Sequence, residues 1–135
     1  MGDTDPDTAG LPLVLVVDDY EDNRAMYAEF LTMSGFRVAQ ASDGQEAIDK
    51  ATSLRPDVIV MDLSLPKVDG WEAARQLRTD PRTSSIRIIA LSGHASADLV
   101  NAARASGCDT FLSKPCMPET LLASVKAMLA APTKG

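Results

Sequence analysis

The chain has 135 residues, a hydrophobic fraction of 45% and a formal net charge of −6. This length suits one domain, and no apolar run approaches the ~20 residues that a membrane-spanning helix needs. The acidic balance, without a long basic cluster, argues against nucleic acid as a direct partner. We therefore expect a protein that contacts neither a membrane nor nucleic acid directly.

Both ends of the chain are polar. Residues 1–10 lack the basic and apolar parts of a secretion signal and are predicted to be a disordered lead-in. The domain is predicted over residues 11–130, with a tail over 131–135. Cys108 and Cys116 are too few for a secreted disulfide scaffold and form no CxxC motif, so we expect two reduced thiols in a cytoplasmic protein. A redox pair is the alternative.

Apolar runs alternate with helical patterns along the whole domain. The strands are predicted at 13–17, 36–41, 57–62, 86–91 and 110–113. The helices are predicted at 21–34, 43–54, 96–106 and 118–128, with one more opening at Asp69 and ending before Pro81. Strands that are apolar on both faces favour a parallel sheet covered by helices on each side. The expected fold is a doubly wound α/β sandwich of three layers, whose ligands bind outside the carboxyl ends of the strands.

Within the first predicted helix, three large apolar residues recur at helical spacing. They are Met26, Phe30 and Met33, and the spacing predicts that they face the core. Gly35 follows as a predicted C-cap. Trp71, in the third helix, is predicted to be half-buried packing, with a binding aromatic as the alternative.

Two later helices begin with the spacing of a capping box. Asp43 and Glu46 open the second helix, and Asp69 and Glu72 open the third. In this arrangement the aspartate oxygen accepts a hydrogen bond from the main-chain N–H three residues later. These pairs predict the helix starts.

Polar side chains stand where four of the five predicted strands end. They are Asp18 and Asp19 after the first strand, Asp62 at the end of the third, Ser92 after the fourth and Lys114 after the fifth. If the sheet is parallel, all five side chains meet at one edge.

This combination of charges predicts a metal-dependent phosphoryl site. Crowded carboxylates repel one another unless a cation is present, and Mg²⁺ suits a shallow site of carboxylates, a carbonyl and waters. Lys114 adds a positive charge and Ser92 a hydroxyl donor, which together would stabilise a phosphoryl group in transfer. A carboxylate can itself be the nucleophile and form an aspartyl phosphate.

At these positions the chain resembles the receiver domain of two-component response regulators, over about residues 11–130. The matching stretches are VVDDYEDN, MDLSLPKVDG, ALSGHA and FLSKPC. The resemblance implies a flavodoxin-like sheet in the strand order 2-1-3-4-5.

The resemblance also implies a role for each matching residue. Asp62 would accept a phosphoryl group from a sensor histidine kinase or a histidine phosphotransfer protein. Asp19 and Asp62 would bind Mg²⁺ through their side chains, Ser64 would contribute its main-chain carbonyl, and Asp18 would hold a metal-bound water. Lys114 would pair with the phosphoryl oxygens. Such a domain is not an enzyme acting on a separate substrate, although it catalyses its own phosphorylation and slow dephosphorylation.

The same resemblance implies a conformational change and residues that set the lifetime of the phosphorylated state. Ser92 would move toward the phosphate and Phe111 would rotate inward behind it. This motion would reshape the face of the fourth helix, fifth strand and fifth helix for a downstream protein target. Ser64 and His94 would flank the path of the hydrolytic water and set the lifetime of the phosphorylated state.

Simpler readings exist for each residue alone. Asp18 and Asp19 could cap the first helix, Asp62 could be a turn residue, and Lys114 could be a surface charge. His94 could be an exposed loop residue. The joint occurrence of the four motifs favours the phosphoryl site.

Other functions were weighed against the same residues. A phosphorylation-independent adaptor would need damaged acceptor chemistry. An aspartate-dependent phosphatase would need a D-x-D-x-T motif, which Asp18, Asp19 and Tyr20 do not form. A flavodoxin-like carrier would want a phosphate-binding loop in place of these acids. Few residues follow the last predicted helix, so we expect a stand-alone receiver, with a receiver excised from a hybrid histidine kinase as the alternative.

Overall fold

The computed structural model describes residues 10–63, 69–93 and 97–130. Strands and helices alternate through these ranges. The strands are β1 (Leu13–Val17), β2 (Arg37–Ala41), β3 (Val58–Asp62), β4 (Arg87–Ser92) and β5 (Thr110–Ser113). The helices are α1 (Glu21–Met33), α2 (Gly44–Leu54), α3 (Gly70–Thr79), α4 (Ala97–Ala105) and α5 (Pro118–Ala130). Every element lies within two residues of its predicted bounds, as is usual for element ends.

The strands form a single sheet in the order β2-β1-β3-β4-β5, and every neighbouring pair is parallel. This confirms the predicted doubly wound α/β fold and its strand order. The register places Asp62 beside Leu91 and Ser92 beside Ser113. The carboxyl ends of the three strands β3, β4 and β5 are therefore adjacent at one edge.

The core is divided by the sheet into two layers, because successive side chains of a strand point to opposite faces. One layer joins Leu15, Ile59 and Ile88 to α2, α3 and α4. The other joins residues such as Val14 and Val60 to α1 and α5. Burying a side chain of this size contributes roughly 1.5–3 kcal/mol, so both faces of the sheet stabilise the fold.

Helix α1 contradicts one prediction. Its buried residues include Tyr27 and Leu31, whereas Met26 is 42% exposed and Met33 is 79% exposed. Tyr27 and Leu31 are four residues apart and lie about 100° around the helix from the stripe of Met26, Phe30 and Met33. The sheet packs against the first stripe, so the two methionines are not core residues.

The predicted helix starts at Asp43 and Asp69 are confirmed. The Glu46 main-chain N–H donates to Asp43 Oδ1 over 2.8 Å, and that of Glu72 donates to Asp69 Oδ1 over 2.9 Å. The capping box of α2 is displaced by one residue, because Glu46 Oε1 accepts from the main-chain N–H of Ser42. Each side-chain cap satisfies one of the main-chain donors that a helix start leaves unpaired.

Cys108 and Cys116 are free and buried, in opposite layers of the core. Burial raises the pKa of the Cys108 thiol to about 11. This arrangement contradicts the redox-pair alternative.

Among the described helices, none combines the length and the apolar character that spanning a bilayer requires. Residues 1–9 of the predicted lead-in over 1–10, and the predicted tail at 131–135, lie outside the described residues.

Candidate functional site

The three predicted carboxylates meet at the carboxyl edge of the sheet. Asp18 and Asp19 directly follow β1, and Asp62 is the last residue of β3, the neighbouring strand. One oxygen from each residue lies within 4.8 Å of the others. Asp18 and Asp62 are 1% and 3% exposed, whereas Asp19 is exposed. The cluster is thus a buried pair of acids with a third acid at its mouth.

A single ammonium group enters this cluster from the segment after β5. Lys114 Nζ donates to Asp62 Oδ2 over 2.6 Å and lies 3.9 Å from Asp18 Oδ2. The main-chain N–H of Lys114 donates to the Ser92 carbonyl over 2.8 Å, which fixes the root of the lysine beside β4. Within the described residues, one cation therefore faces three carboxylates, and negative charge remains in excess.

The excess of negative charge affects the Asp18 carboxylate. Its Oδ1 accepts the main-chain N–H of Tyr20 over 2.9 Å, but its buried Oδ2 has no hydrogen-bond partner among the described residues. Burial raises the pKa of the Asp18 carboxyl, and the charges of Asp62 and Asp19 act in the same direction. The Tyr20 hydrogen bond and Lys114 lower that pKa without cancelling the rise.

The lysine responds in the complementary way. Burial alone would lower the pKa of Lys114, but the hydrogen bond to Asp62 and the charges of Asp62, Asp18 and Asp19 outweigh it, and the pKa is raised. A hard divalent cation with oxygen ligands fits this donor set, since it would neutralise the remaining charge.

The capping alternative for the acidic pair does not hold. Helix α1 begins at Glu21, and its N-cap residue is Tyr20, which makes no side-chain capping hydrogen bond. Asp18 and Asp19 stand before the cap and point into the carboxylate cluster instead. Their position agrees with a ligand-binding role.

Two further predicted residues lie on the strands β4 and β5. Ser92 ends β4 and is 6% exposed. Phe111 pairs with Ala90 in the β4–β5 register and packs, partly buried, against the core layer of α2, α3 and α4. Ser64 and His94 lie outside the described residues, so their predicted roles stay predictions. Trp71 packs against the same layer, as its packing interpretation predicts.

Gly70 supports the site by its lack of a side chain. A Cβ atom at Gly70 would collide with the main-chain oxygen of Asp62 and lie 2.6 Å from the Cα atom of Leu63. The first turn of α3 can therefore approach the end of β3 only with glycine at this position. The D-x-x-x-P-x-x-x-G spacing in the sequence contains this glycine, but not the reason for it.

Arg24 and Tyr27 were missed by the sequence analysis. Arg24 Nη1 donates to the main-chain oxygen of Asp18 over 2.9 Å, and its Nε donates to Gln40 Oε1 over 3.2 Å. The Tyr27 hydroxyl donates to the main-chain oxygen of Cys116 over 2.8 Å. Two of these acceptors are main-chain carbonyls. Every residue has such a carbonyl, so a sequence pattern cannot show which of them is used.

Comparison with known proteins places this geometry in a family. The profile of the response regulator receiver domain matches residues 14–126. The transcriptional regulatory protein PrrA of Mycobacterium tuberculosis is 42% identical over 118 residues, which cover 87% of this chain and 50% of PrrA. The chain thus spans about half the length of that relative.

Other relatives are matched over nearly their whole length. The polar-differentiation response regulator DivK of Brucella anthropi is 32% identical over 116 residues, covering 86% of this chain and 94% of DivK. The crystal structure of the chemotaxis protein CheY4 of Vibrio cholerae superposes with a TM-score of 0.84 at 33% identity, covering 88% of this chain and 99% of CheY4. The chain belongs to the response regulator receiver domain family.

Proposed function

We propose that this chain accepts a phosphoryl group on Asp62 from a histidine kinase or a histidine phosphotransfer protein, in a reaction that needs Mg²⁺. Phosphorylation and Mg²⁺ binding at an acidic pocket are general features of receiver domains. The observation that carries the proposal is the cluster of Asp18, Asp19 and Asp62 within 4.8 Å, with the Lys114 ammonium 2.6 Å from Asp62.

The cluster supports three of the four metal-binding residues that we propose. Asp19 and Asp62 would bind Mg²⁺ directly, Asp18 would hold a bound water, and the Ser64 carbonyl would complete the protein ligands. The buried Asp18 Oδ2 has no hydrogen-bond partner within 10–63, 69–93 and 97–130, which supports a cation or its water at this place. When bound, Mg²⁺ offsets negative charge on the transferring phosphoryl oxygens.

Three residues of the chain take part in the phosphoryl transfer. A carboxylate oxygen of Asp62 attacks phosphorus, and the P–N bond of the donor phosphohistidine breaks. The electron pair of that bond returns to the imidazole, which takes up a proton. The Lys114 ammonium and the Ser92 hydroxyl stabilise the equatorial oxygens in the transition state. Hydrolysis later reverses the modification when water attacks the same phosphorus, releasing phosphate and the Asp62 carboxylate.

Ser92 and Phe111 would link phosphorylation to a conformational change outside the site. Ser92 would move toward the phosphoryl group, and Phe111 would turn into the space behind it. Phe111 is partly buried beside Ala90 on the adjoining strand, so its packing is sensitive to the end of β4. A downstream protein target would read the resulting change on the face of α4, β5 and α5.

We propose, for this chain alone, that it does not contact nucleic acid directly. The DNA-binding dual master transcriptional regulator RpaA of Synechocystis is 37% identical over 119 residues, which are 49% of its length. The net charge of −6 favours protein contacts for the chain itself.

The decisive experiment is intact-mass measurement after incubation with acetyl phosphate and Mg²⁺. We expect the chain to gain one phosphoryl group, and we expect no gain with Asp62→Asn or with the metal chelated. A phosphorylation-independent adaptor, the second candidate, would gain no mass under any condition. Equal gain by Asp62→Asn would assign the modification to another residue.

The lifetime prediction has its own experiment. Replacing both Ser64 and His94 by alanine is expected to change the dephosphorylation rate of the Asp62 phosphate. A change of less than about twofold, which corresponds to ~0.4 kcal/mol, would reject the role of these two side chains.

A further inference from the structure

Helix α1 is joined to the segment after β5 by a buried hydrogen bond. The Tyr27 hydroxyl donates to the main-chain oxygen of Cys116 over 2.8 Å, across 89 positions in sequence. Tyr27 is 4% exposed and Cys116 is 8% exposed. A core position on this helix needs only an apolar side chain, so the hydroxyl of Tyr27 adds something that packing does not require.

The bonded carbonyl lies two residues beyond the lysine of the site. The main-chain N–H of Lys114 donates to the Ser92 carbonyl over 2.8 Å, which holds the start of the segment. Pro115 and Pro118 have no N–H to donate, so few main-chain bonds are available to hold the rest. The Tyr27 hydroxyl supplies such a bond at Cys116.

An open groove runs beside this segment. It has a volume of about 490 Å³ and is lined by Tyr27, Lys114, Cys116, Met117 and Pro118, among others. Without the Tyr27 hydroxyl, the Cys116 carbonyl would be buried without that partner, which costs free energy. Turning the carbonyl toward water in the groove would relieve that cost, and it would also move the main chain that carries Lys114.

We propose that Tyr27 is a positioning residue for phosphoryl transfer, because its bond to Cys116 holds Lys114 where the ammonium reaches Asp62. The inference rests on the proposed function. Among the described residues, the Tyr27 hydroxyl donates to Cys116 and not to the Asp62 carboxylate. Its effect on the reaction therefore passes through Lys114.

The first test compares rates of mass gain with acetyl phosphate and Mg²⁺. Tyr27→Phe removes one oxygen and keeps the ring, and we expect its initial rate to fall about tenfold, equivalent to ~1.4 kcal/mol. In a Lys114→Met background the same substitution should have no further effect, because the residue through which it acts is gone. An equal loss in both backgrounds would overturn the proposal.

A matched control separates positioning from stability. Leu31→Val removes one methylene from the same buried face of α1, where Leu31 is 0% exposed. It is expected to lower the Tm while leaving the rate of mass gain unchanged. If Leu31→Val slows the reaction as much as Tyr27→Phe does, the effect is one of stability and the inference fails.

The second test does not depend on phosphorylation. Amine labelling followed by peptide mass spectrometry reports how well Lys114 is held, with the exposed Lys126 as an internal reference. We expect Lys114 to be labelled several-fold faster in Tyr27→Phe than in the unsubstituted chain. Unchanged labelling would overturn the inference even if the chain accepts a phosphoryl group. Conversely, if the chain gains no mass but Lys114 is labelled faster in Tyr27→Phe, the proposed function is overturned. Tyr27 would still be the residue that positions Lys114.

Discussion

Two partly buried cations at opposite edges of the sheet have different surroundings. At the amino edge, Arg78 of α3 pairs with Asp109, just before β5, over 3.0 Å. Arg78 also donates to the carbonyls of Gly107, Ser84 and Ile86, and each of its three side-chain nitrogens is used. Asp109 Oδ2 accepts in addition the main-chain N–H of Ile88 over 2.8 Å. Opposite charges are balanced there and well bonded.

At the carboxyl edge, charge is unbalanced. Lys114 faces Asp18, Asp19 and Asp62, and Asp18 Oδ2 has no hydrogen-bond partner in the part of the chain that the structure describes. A buried charge without full compensation costs stability. The contrast shows that the amino edge joins elements together, while the carboxyl edge keeps an excess of negative charge that a bound cation can relieve.

The largest expected effect comes from breaking the balanced pair. Arg78→Met should lower the free energy of unfolding by about 3 kcal/mol, because Asp109 and several carbonyls lose their donor. Urea unfolding measures this change. The matched control is Arg75→Met. Its exposed arginine pairs, among the described residues, with Glu72 alone, and the substitution should have no measurable effect. Equal stability of the two variants would show that the Arg78 network contributes nothing.

A substitution beside the unbalanced site comes next. Gly70→Ala should cost about 2 kcal/mol or more, because the new Cβ would force the start of α3 away from Asp62. Phosphorylation of Asp62 should slow as well. Gly93→Ala is the control, since a Cβ at Gly93 would meet no atom within 4 Å. Thermal unfolding and intact mass measure both effects, and the prediction fails if the two alanine variants behave alike.

Removing a charge at the carboxyl edge should have the opposite sign from Arg78→Met. Without Mg²⁺, Asp18→Asn should raise the free energy of unfolding by about 1 kcal/mol, because it relieves repulsion at a buried carboxylate. Mg²⁺ should raise the Tm of the unsubstituted chain and raise that of the variant less. Removing Mg²⁺ by chelation should reverse the rise. A destabilised variant in metal-free buffer would contradict this account.

The sign of the pH dependence sharpens this prediction. The pKa of Asp18 is raised above its ordinary value of 3.8, so the folded state holds that proton more tightly than the unfolded state. The stability that Asp18 contributes is present below pH 3.8 and is lost as pH rises through the elevated pKa. The advantage of Asp18→Asn should therefore grow as pH rises through this window in metal-free buffer.

The smallest expected effect concerns the capped start of α2. Hydrogen bonds from the Ser42 main chain and from Lys50, in that order, lower the pKa of Glu46 from 4.5 to about 2. The stability it contributes is present above pH 4.5 and is lost as pH falls toward about 2. Because the Glu46 side chain is 39% exposed, solvent screening limits this contribution to about 0.5 kcal/mol. Urea unfolding of Glu46→Gln should show the deficit at pH 7 but not near pH 2; a deficit independent of pH would contradict the assignment.

Much of the fold could be predicted because its determinants are local. Five apolar runs, Gly35 after α1, and the caps at Asp43 and Asp69 lie within short windows of sequence. The parallel sheet then brought Asp18, Asp19, Asp62 and Lys114 to one edge, since the carboxyl ends of neighbouring parallel strands coincide. The membership of the acidic cluster followed from the strand assignment alone.

The sequence by itself determined the elements, their order and the residues at the strand ends, because periodicity and turn chemistry act over a few residues. Only the tertiary structure decided that Tyr27 rather than Met26 faces the core, since both stripes of α1 are apolar and differ only by a rotation of about 100°. It also decided the bonds from Tyr27 to Cys116 and from Arg78 to Gly107, because their acceptors are main-chain oxygens that distant packing brings within reach.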